Sequence, residues 1–443
     1  MTIREGVVRA ITESGEGQIE TAGGIVLATG VLPGERVRLG EIARGRVLRA
    51  QQVEVLVASP ERVPAPCVLA ARCGGCPLMH ASAALSARIK LDRVRAALAP
   101  VIEGDAGLEI TIDTPEARLG YRRRARLAFA GGRVGYRAEG SRDVVEVERC
   151  LVLDPKLSLA LDAVRAHLAP ALTGAGEIRL GVGPRGGTAR IDTPDPQPAA
   201  LYRALEVACR EGALGGAALA AAGAAPVVVG IDAEATEDVE GRALVAPLGG
   251  FGQAHATHNG RLGAYALALA APTGKRVLEL YAGHGNFTLA LAARAARVEA
   301  IELDAAGTAC LRTNLSTHGL QASVRSADAA AAARAVPPGS VDLVFLDPPR
   351  EGAASTIGAL RAIAPAEIVY VSCHPESLAR DLAGLVRGGY RLRAARAFDM
   401  FPQTAHVEVV VALEREPSAK VASHPGIPGS ARGRSVARGS TRR

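Results

Sequence analysis

The amino-acid sequence predicts an α/β protein built from an N-terminal OB-like β-barrel, a central α+β domain and a C-terminal Rossmann-like domain. Residues 1–58 contain five short strand-like runs that Gly and Pro turns separate. Residues 59–250 mix helices and strands and hold a group of cysteines. From residue 251 to 415, apolar strands alternate with helices, a pattern typical of a parallel sheet covered by helices. A chain of 443 residues is long enough for two or three domains with a substantial core.

The barrel prediction depends on five alternating runs: Gly6 to Ile11, Gly17 to Thr21, Gly24 to Ala28, Arg36 to Gly40, and Arg44 to Val55. Small barrels of this kind are common platforms for nucleic acids. The segment has no aromatic residue, so binding would depend on the backbone and on Arg36, Arg38, Arg44, Arg46 and Arg49. The alternative is a structural barrel with ordinary surface arginines.

Three cysteines lie close together in the central part, with a fourth far along the chain. Cys67, Cys73 and Cys76 are separated by six and three positions, and Cys150 follows later. Four thiolates can hold zinc or a [4Fe-4S] cluster, and the spacing alone does not separate the two. The alternative of unrelated buried thiols is weak for the first three cysteines and stronger for Cys150. The other cysteines outside the C-terminal motifs, Cys209 and Cys310, are expected in the core.

Basic residues concentrate in two predicted elements of the central part. A predicted helix over Ala81 to Leu98 carries four basic side chains, and Gly120 to Phe129 places four arginines in a predicted strand. These arginines are candidates for phosphate contacts, and Tyr121 is a candidate for stacking on a base. The alternative is a strand that carries arginine for solubility.

The C-terminal part begins with a strand, a glycine turn and a helix. The strand Lys275 to Tyr281 leads into a turn that contains Gly283 and Gly285, where a ligand could approach the backbone. The turn is not G-x-G-x-x-G, which weakens a dinucleotide interpretation. Glu302 ends the second strand, in position to bind ribose hydroxyls, and Asp328 follows the third strand, in position to meet an adenine edge.

Three further stretches are predicted to meet where the parallel strands end. Phe345 to Arg350 reads FLDPPR, Tyr370 to Pro375 reads YVSCHP, and Phe398 to Glu408 reads FDMFPQTAHVE. Open α/β sheets place their chemistry at these strand ends. Considered alone, Cys373 would be a buried structural thiol, and Glu408 the solvent-facing residue of an alternating strand.

Taken together, these motifs resemble the RNA uracil-5-methyltransferases of class I that use S-adenosylmethionine, of the type with a TRAM barrel and a [4Fe-4S] cluster that acts on 23S ribosomal RNA. The resemblance implies that Cys373 is the nucleophile and Glu408 the base. It also implies cofactor contacts from Gln253, Tyr281, Asn286, Glu302, Asp328 and Asp347, beside Gly283 and Gly285. It favours a structural [4Fe-4S] cluster over zinc on Cys67, Cys73, Cys76 and Cys150.

The chain departs from the family pattern at two positions. The family usually reads S-C-N-P where this chain has His374, and Gln-x-Asn where it has His255. His374 is expected to replace the usual Asn as a hydrogen-bond partner, although it could instead help to hold Cys373 as thiolate. His255 and His284 are expected to be variants of the cofactor loops.

The chemistry explains why a thiol and a separate carboxylate are needed. Carbon 5 of uracil becomes nucleophilic once a thiolate adds to carbon 6, and a base must then remove the carbon-5 proton. Three alternatives remain: methylation of a uracil in transfer RNA, methylation of an exocyclic amine, and a non-catalytic RNA-binding scaffold. An amine target would leave Cys373 without a role, and the DPP motif is followed by Arg350 rather than an aromatic residue.

The chain is expected to be a cytoplasmic monomer that binds RNA, and most of its net charge lies in one segment. The net charge is +7, of which residues 416–443 contribute +5 through six basic residues against Glu416. This segment is predicted to be a disordered basic tail. The N-terminus lacks the apolar core of a signal peptide, and no stretch suggests a membrane span.

Overall fold

The first five strands form a closed barrel in a computed structural model that describes residues 4–43, 47–102 and 107–416. The strands are β1 (Arg4–Ile11), β2 (Gly17–Thr21), β3 (Gly24–Ala28), β4 (Arg36–Ala43) and β5 (Arg49–Val57), joined in the order β1-β2-β3-β5-β4. Alternate side chains such as Ile19, Val26 and Val37 fill the interior. The predicted barrel is confirmed, whereas Arg44, Arg46 and the predicted tail beyond Glu416 lie outside the described residues.

A long helix and a short strand follow the barrel and pack on the C-terminal half of the chain. They are α1 (Ala83–Ile102) and β6 (Thr111–Asp113). The Lys90 side chain of α1 is fully buried, pairs with Asp399 and donates a hydrogen bond to the Phe401 carbonyl at 2.8 Å. The sequence-based boundaries place this segment in the central domain, and the family resemblance implies that part of it packs on the C-terminal domain; its packing partners do lie in the C-terminal part.

The central part is built on a seven-stranded sheet in the order β13-β12-β11-β10-β7-β8-β9. Its strands are β7 (Ala125–Ala130), β8 (Arg133–Arg137), β9 (Val144–Glu146), β10 (Ala175–Gly183), β11 (Gly186–Thr193), β12 (Gly216–Ala221) and β13 (Val227–Gly230). Two helices, α2 (Pro155–Ala163) and α3 (Ala199–Arg210), cover the apolar face around Ile178, Leu180 and Ile191. A hairpin of β14 (Ala233–Glu237) and β15 (Ala243–Pro247) leads to the C-terminal part.

The C-terminal part is an eight-stranded sheet with helices on both faces. The elements in chain order are α4 (Ala256–Ala270), β16 (Arg276–Leu280), α5 (Thr288–Ala292), β17 (Arg297–Glu302), α6 (Ala305–Thr317), β18 (Ser323–Ser326), α7 (Ala329–Arg334), β19 (Leu343–Leu346), α8 (Ala354–Ile363), β20 (Glu367–Ser372), α9 (Pro375–Val386), β21 (Tyr390–Phe398) and β22 (Glu408–Arg415).

The strand order of this sheet determines where a ligand can bind. The order is β18-β17-β16-β19-β20-β22-β21-β6, with β16 to β20 parallel and β22 antiparallel to both neighbours. Buried runs such as Leu343 to Leu346 are apolar throughout because helices cover both faces. The chain adds β17 and β18 on one side of β16 and then returns to add β19 on the other side. A crevice therefore opens at the carboxyl ends of β16 and β19, where the strand order changes direction. Among the described helices, none is both long and apolar enough to cross a bilayer.

Candidate active site

A cavity of about 610 Å³ lies at the carboxyl ends of the parallel strands. It gathers residues from β16, β17, β19, β20 and β22 and from the loop before α4. Nine of the ten residues predicted for catalysis and cofactor binding line it: Gln253, Tyr281, Gly283, Asn286, Glu302, Asp328, Asp347, Cys373 and Glu408. Residues that are spread over the sequence from position 253 to position 408 therefore lie around one cavity. This agrees with the prediction that the carboxyl ends of parallel strands meet at one edge of the sheet.

The turn after β16 has a backbone that few residues adopt. Tyr281 has a φ of +63°, and Gly283 follows with a φ of +58°. The Gly283 amide donates to Glu302 Oε2 at 2.9 Å, so the turn and the end of β17 are held together. A Cβ at Gly283 would meet no protein atom within 4 Å, since this side of the turn faces the cavity.

Gly285, the tenth predicted residue, lies in the same turn and packs against the helices that follow it. It is not among the residues that line the cavity. A Cβ at this position would lie 2.8 Å from a methyl carbon of Leu311 and 2.9 Å from one of Leu289, and φ is +111°. Packing of the turn against α5 and α6 therefore explains this glycine.

The polar residues of the cavity are oriented by neighbours. Asn286 exchanges side-chain hydrogen bonds with Asn259 at 2.8 and 3.2 Å. The Tyr281 hydroxyl lies 3.2 Å from that of Thr356. Asp328 caps α7 by accepting from the Ala331 amide at 2.8 Å. These contacts hold the side chains at the cavity wall before any ligand binds.

Two carboxyl groups, those of Asp347 and Glu408, line the same cavity as the Cys373 thiol. Burial raises the pKa of Asp347 to about 7. Burial, and then the charge of Asp347, raise the pKa of Glu408 well above its usual range. Glu408 is 5% exposed, which contradicts the solvent-facing alternative for this strand. Burial therefore favours the protonated form of Glu408, and a base role requires that it ionise when substrate is bound.

The Cys373 thiol is also neutral at rest. Its pKa is raised to about 12, first by burial and then by the charges of Glu408 and Asp347, while Arg350 acts in the opposite direction. A nucleophilic role for Cys373 therefore requires that the thiol lose its proton after the substrate enters, because the thiolate is the nucleophilic form of cysteine.

The three histidines near the site serve local structure. His374 Nδ1 accepts from the Ser377 amide at 3.1 Å and caps α9, as the hydrogen-bond interpretation predicts. His255 is buried and caps α4. His284 lines the cavity, and burial lowers its pKa to about 4, so it stays uncharged.

The predicted base-stacking role of Tyr121 is wrong. Its side chain is 7% exposed and its ring stacks on that of His255, with centroids 4.7 Å apart. The neighbouring arginines are also engaged within the protein. Arg124 pairs with buried Glu234 at 2.7 Å, and Arg126 pairs with Glu177 at 2.6 Å. Strand β7 begins at Ala125 and therefore includes only the last of the four arginines, Arg126.

The four predicted metal-ligating cysteines surround one small cavity in the central part. Cys67, Cys73, Cys76 and Cys150 line a space of about 30 Å³. The Gly75 amide points at Cys73 Sγ, 3.5 Å away. Burial, followed by the charges of Cys150 and Cys73, raises the pKa of Cys76 to about 12. Over the described residues, no three His, Cys, Asp or Glu side chains are arranged to hold a metal ion as they stand. The donor set, four soft thiols in an apolar cavity, fits a thiolate-bound cluster.

Sequence reasoning missed three residues at or beside the cavity. Phe251 lines the cavity and is 79% exposed. Glu279 is buried in β16 directly below the turn, and its signal was a carboxylate inside an apolar strand. Glu13 of the barrel contacts the loops around Cys373 and Arg350, and no local pattern marks it.

The buried Glu279 side chain should make the stability of the folded protein depend on pH. Burial raises its pKa from 4.5 to about 8, and its Oε2 atom has no hydrogen-bond partner among the described residues. The folded state then binds more protons than the unfolded state between these two values, so stability falls as pH rises through this window. Glu279→Gln should remove the effect and stabilise the protein by on the order of 2–4 kcal/mol at pH 8, with little change near pH 4.5.

Thermal unfolding from pH 4.5 to pH 8.5 would measure this difference. Glu20→Gln is the matched control because Glu20 is exposed on the barrel and pairs only with Arg9 in the described structure. Parallel curves for the parent and Glu279→Gln would contradict the expected protonation of Glu279.

Comparison with known proteins gives relatives over most of the chain. A 23S rRNA (uracil(1939)-C(5))-methyltransferase RlmD from Chromohalobacter salexigens is 36% identical over 89% of this chain and 85% of its own length. The protein of the same name from Alkalilimnicola ehrlichii is 37% identical over 87% of this chain and 91% of its own length. The protein of this name from Pseudomonas aeruginosa is 34% identical over 92% of this chain and 93% of its own length.

A family model and a solved structure add to these relatives. The model described as conserved hypothetical protein 95 matches residues 261–386, within the C-terminal sheet. The Pyrococcus abyssi tRNA (uracil-54, C5)-methyltransferase in complex with S-adenosyl-L-homocysteine aligns with a TM-score of 0.71 and 21% identity. The alignment covers 92% of this chain and all of that one, so the fold is shared along nearly the whole length.

Proposed function

This chain belongs to the 23S rRNA (uracil-C5)-methyltransferase family named RlmD, and we propose that it methylates carbon 5 of the 23S rRNA uridine that corresponds to uracil 1939 in its relatives. The observation that carries the proposal is that Cys373 and Glu408 line the same cavity as the predicted cofactor residues. A thiol, a carboxyl group and a methyl donor are what this reaction needs in one place.

The protein residues perform the steps that uracil cannot perform alone. The Cys373 thiol loses its proton to solvent as Sγ bonds to carbon 6 of uracil, and the electron pair of the 5,6 double bond makes carbon 5 nucleophilic. Bound S-adenosylmethionine would supply the electrophilic methyl group and would leave as S-adenosylhomocysteine. Glu408, which gives up its own proton to solvent once the substrate is bound, then removes the proton from carbon 5; the double bond re-forms, and the bond between Sγ and carbon 6 breaks as the thiolate leaves.

The cofactor is proposed to lie along the ends of β16, β17 and β19. Glu302 would accept from the ribose hydroxyls, as an acidic residue at the end of the second strand is placed to do. Asp328 would meet the adenine edge, and Gly283 would let the ligand approach the turn. Gln253, Tyr281, Asn286 and Asp347 complete the set. These assignments agree with the cavity lining.

We also propose that Cys67, Cys73, Cys76 and Cys150 hold a structural [4Fe-4S] cluster, in preference to zinc. Four thiols in one apolar cavity support this choice of ligands. Anaerobically purified protein should be brown, with absorbance at the blue edge of the visible range and iron in the sample. A colourless protein that contains one zinc per chain would support the zinc alternative.

The proposed domains are a TRAM-like barrel over residues 1–58, a central domain over 59–250 and a methyltransferase domain over 251–415. Two elements of the central domain extend the C-terminal one: β6 pairs with β21, and α1 packs against α9 and β21. The barrel offers Arg36, Arg38 and Arg49 for RNA, although Arg38 pairs with Glu54 at 2.7 Å and Arg49 with Glu16 at 2.8 Å.

The function is tested by mapping the product. The purified protein is incubated with undermodified 23S rRNA and labelled S-adenosylmethionine, and the labelled nucleotide is located after nuclease digestion. We expect 5-methyluridine at one site. Label in an exocyclic amine, or in transfer RNA but not in 23S rRNA, would overturn the proposal.

A further inference from the structure

A turn of the barrel reaches the loops that carry the active-site residues. This turn joins β1 to β2 and includes Glu13. The Glu13 carboxylate pairs with Arg350, lies 2.9 Å from His374 Nε2 and 3.8 Å from Arg93 Nη2. A residue 361 positions from His374 in sequence therefore contacts the neighbour of the proposed nucleophile.

The hydrogen bonds of His374 identify its tautomer. Nδ1 accepts from the Ser377 amide at 3.1 Å, so that nitrogen carries no proton. Burial lowers the pKa of His374, and the neutral ring then carries its proton on Nε2. Nε2 donates this proton to Glu13 Oε2. The Ser377 amide thus fixes the tautomer of the ring directly after Cys373, and the Glu13 carboxylate, with Glu376 Oε2 farther away at 3.4 Å, fixes the orientation of its Nε2 side.

The same carboxylate holds the second loop. Arg350 follows Asp347 and two prolines at the end of β19, and its side chain is 53% exposed. The barrel turn is itself fixed, because the Thr12 amide donates to the Glu16 carbonyl at 2.8 Å. In addition, a Cβ on Gly15 would lie 2.5 Å from Pro77. One anchored carboxylate therefore connects the loop of Cys373 with the loop of Asp347.

We propose that Glu13 is a positioning residue for the methyl transfer, an inference that rests on the proposed function. It holds the loops after β19 and β20 at a fixed separation, so that Cys373 meets carbon 6 while Asp347 and Glu408 keep their places. Small displacements of reacting groups are costly, since a shift of about 1 Å can slow a reaction roughly 100-fold. The barrel thereby contributes to the rate of the reaction and not only to RNA binding.

The test compares Glu13→Gln with Glu20→Gln, a control on the same barrel that leaves both loops untouched. Full-length proteins are assayed on undermodified 23S rRNA under single-turnover and steady-state conditions. Glu13→Gln should lower the single-turnover rate and kcat about tenfold, with KM for RNA changed less than about twofold. The melting temperature and the affinity for S-adenosylmethionine should match those of the control.

A second variant separates positioning from a general effect on folding. His374→Asn restores the residue usual in the family and removes one of the two loop partners of Glu13. In the His374→Asn background, Glu13→Gln should lower the single-turnover rate less than about threefold, because the effects of two changes to one interaction are not additive.

An unchanged rate in Glu13→Gln, additive losses in the double variant, or a change only in KM for RNA would overturn the inference. A faster Glu13→Gln would also overturn it, since the carboxylate would then compete with RNA phosphate for Arg350. Absence of activity in the unmodified protein would count instead against the proposed function.

Discussion

Cys373→Ala should abolish methylation, with a loss of more than about 10⁴-fold in kcat, since removal of a nucleophile eliminates the covalent route. The alanine has no atom that can bond to carbon 6, so carbon 5 stays unreactive. The same change should leave the affinity for S-adenosylmethionine within about twofold, because the cofactor residues come from other strand ends.

Trapping with RNA that carries 5-fluorouridine at the target measures the covalent step directly. Fluorine at carbon 5 cannot leave as a proton, so the unmodified protein should remain joined to RNA through Cys373 on a denaturing gel. Cys310→Ala, which removes a thiol in α6 away from the cavity, should form this adduct normally. An adduct in Cys373→Ala, or turnover by that variant, would show that another residue or another reaction is involved.

Glu408→Gln should stop the reaction after methyl transfer, at the removal of the carbon-5 proton. The amide cannot accept the carbon-5 proton, so the methylated ring stays bonded to Cys373. We expect kcat to fall by about 10²–10⁴-fold and a protein–RNA adduct to accumulate on ordinary RNA. The adduct should contain the labelled methyl group, which distinguishes this block from a failure of the first step.

Glu414→Gln provides the control for this experiment. Glu414 lies on the same strand as Glu408, pairs with Arg391 and does not line the cavity. Its variant should turn over normally and show no adduct on ordinary RNA. If Glu408→Gln lost activity without any adduct, the base role would pass to another group and Glu408 would act in substrate binding.

The fold could be predicted from sequence where the local pattern and the global packing agree. The five barrel runs alternate with period two, and the C-terminal strands are continuous apolar runs, so both were found with small errors at the ends. The helix predicted after the glycine turn is present as the short helix α5, Thr288–Ala292. The packing of α1 on the C-terminal part was indicated only by the family resemblance and not by local pattern, because its partners lie some 300 residues later in the chain.

The residues of the candidate site also divide into those that the sequence could predict and those that it could not. Strand-end residues such as Asp347 and Cys373 were predictable because parallel strands bring their carboxyl ends together. The packing of Gly285 could not be predicted, because a turn glycine looks the same whether it faces a cavity or packs on Leu311. Tyr121 and Arg124 were assigned to RNA because pattern does not reveal burial. Glu13 had no signal, since its partners are assembled only by docking of the barrel.

The buried pair of Lys90 and Asp399 has a consequence for synthesis of the protein on the ribosome. The two residues are 309 positions apart, and Asp399 precedes the strand that carries Glu408. A nascent chain that has not yet reached Asp399 could bury Lys90 only without its counter-charge, at a cost of several kcal/mol. The active site is therefore completed among the last events of translation, and a fragment released early would be an inactive target for proteolysis.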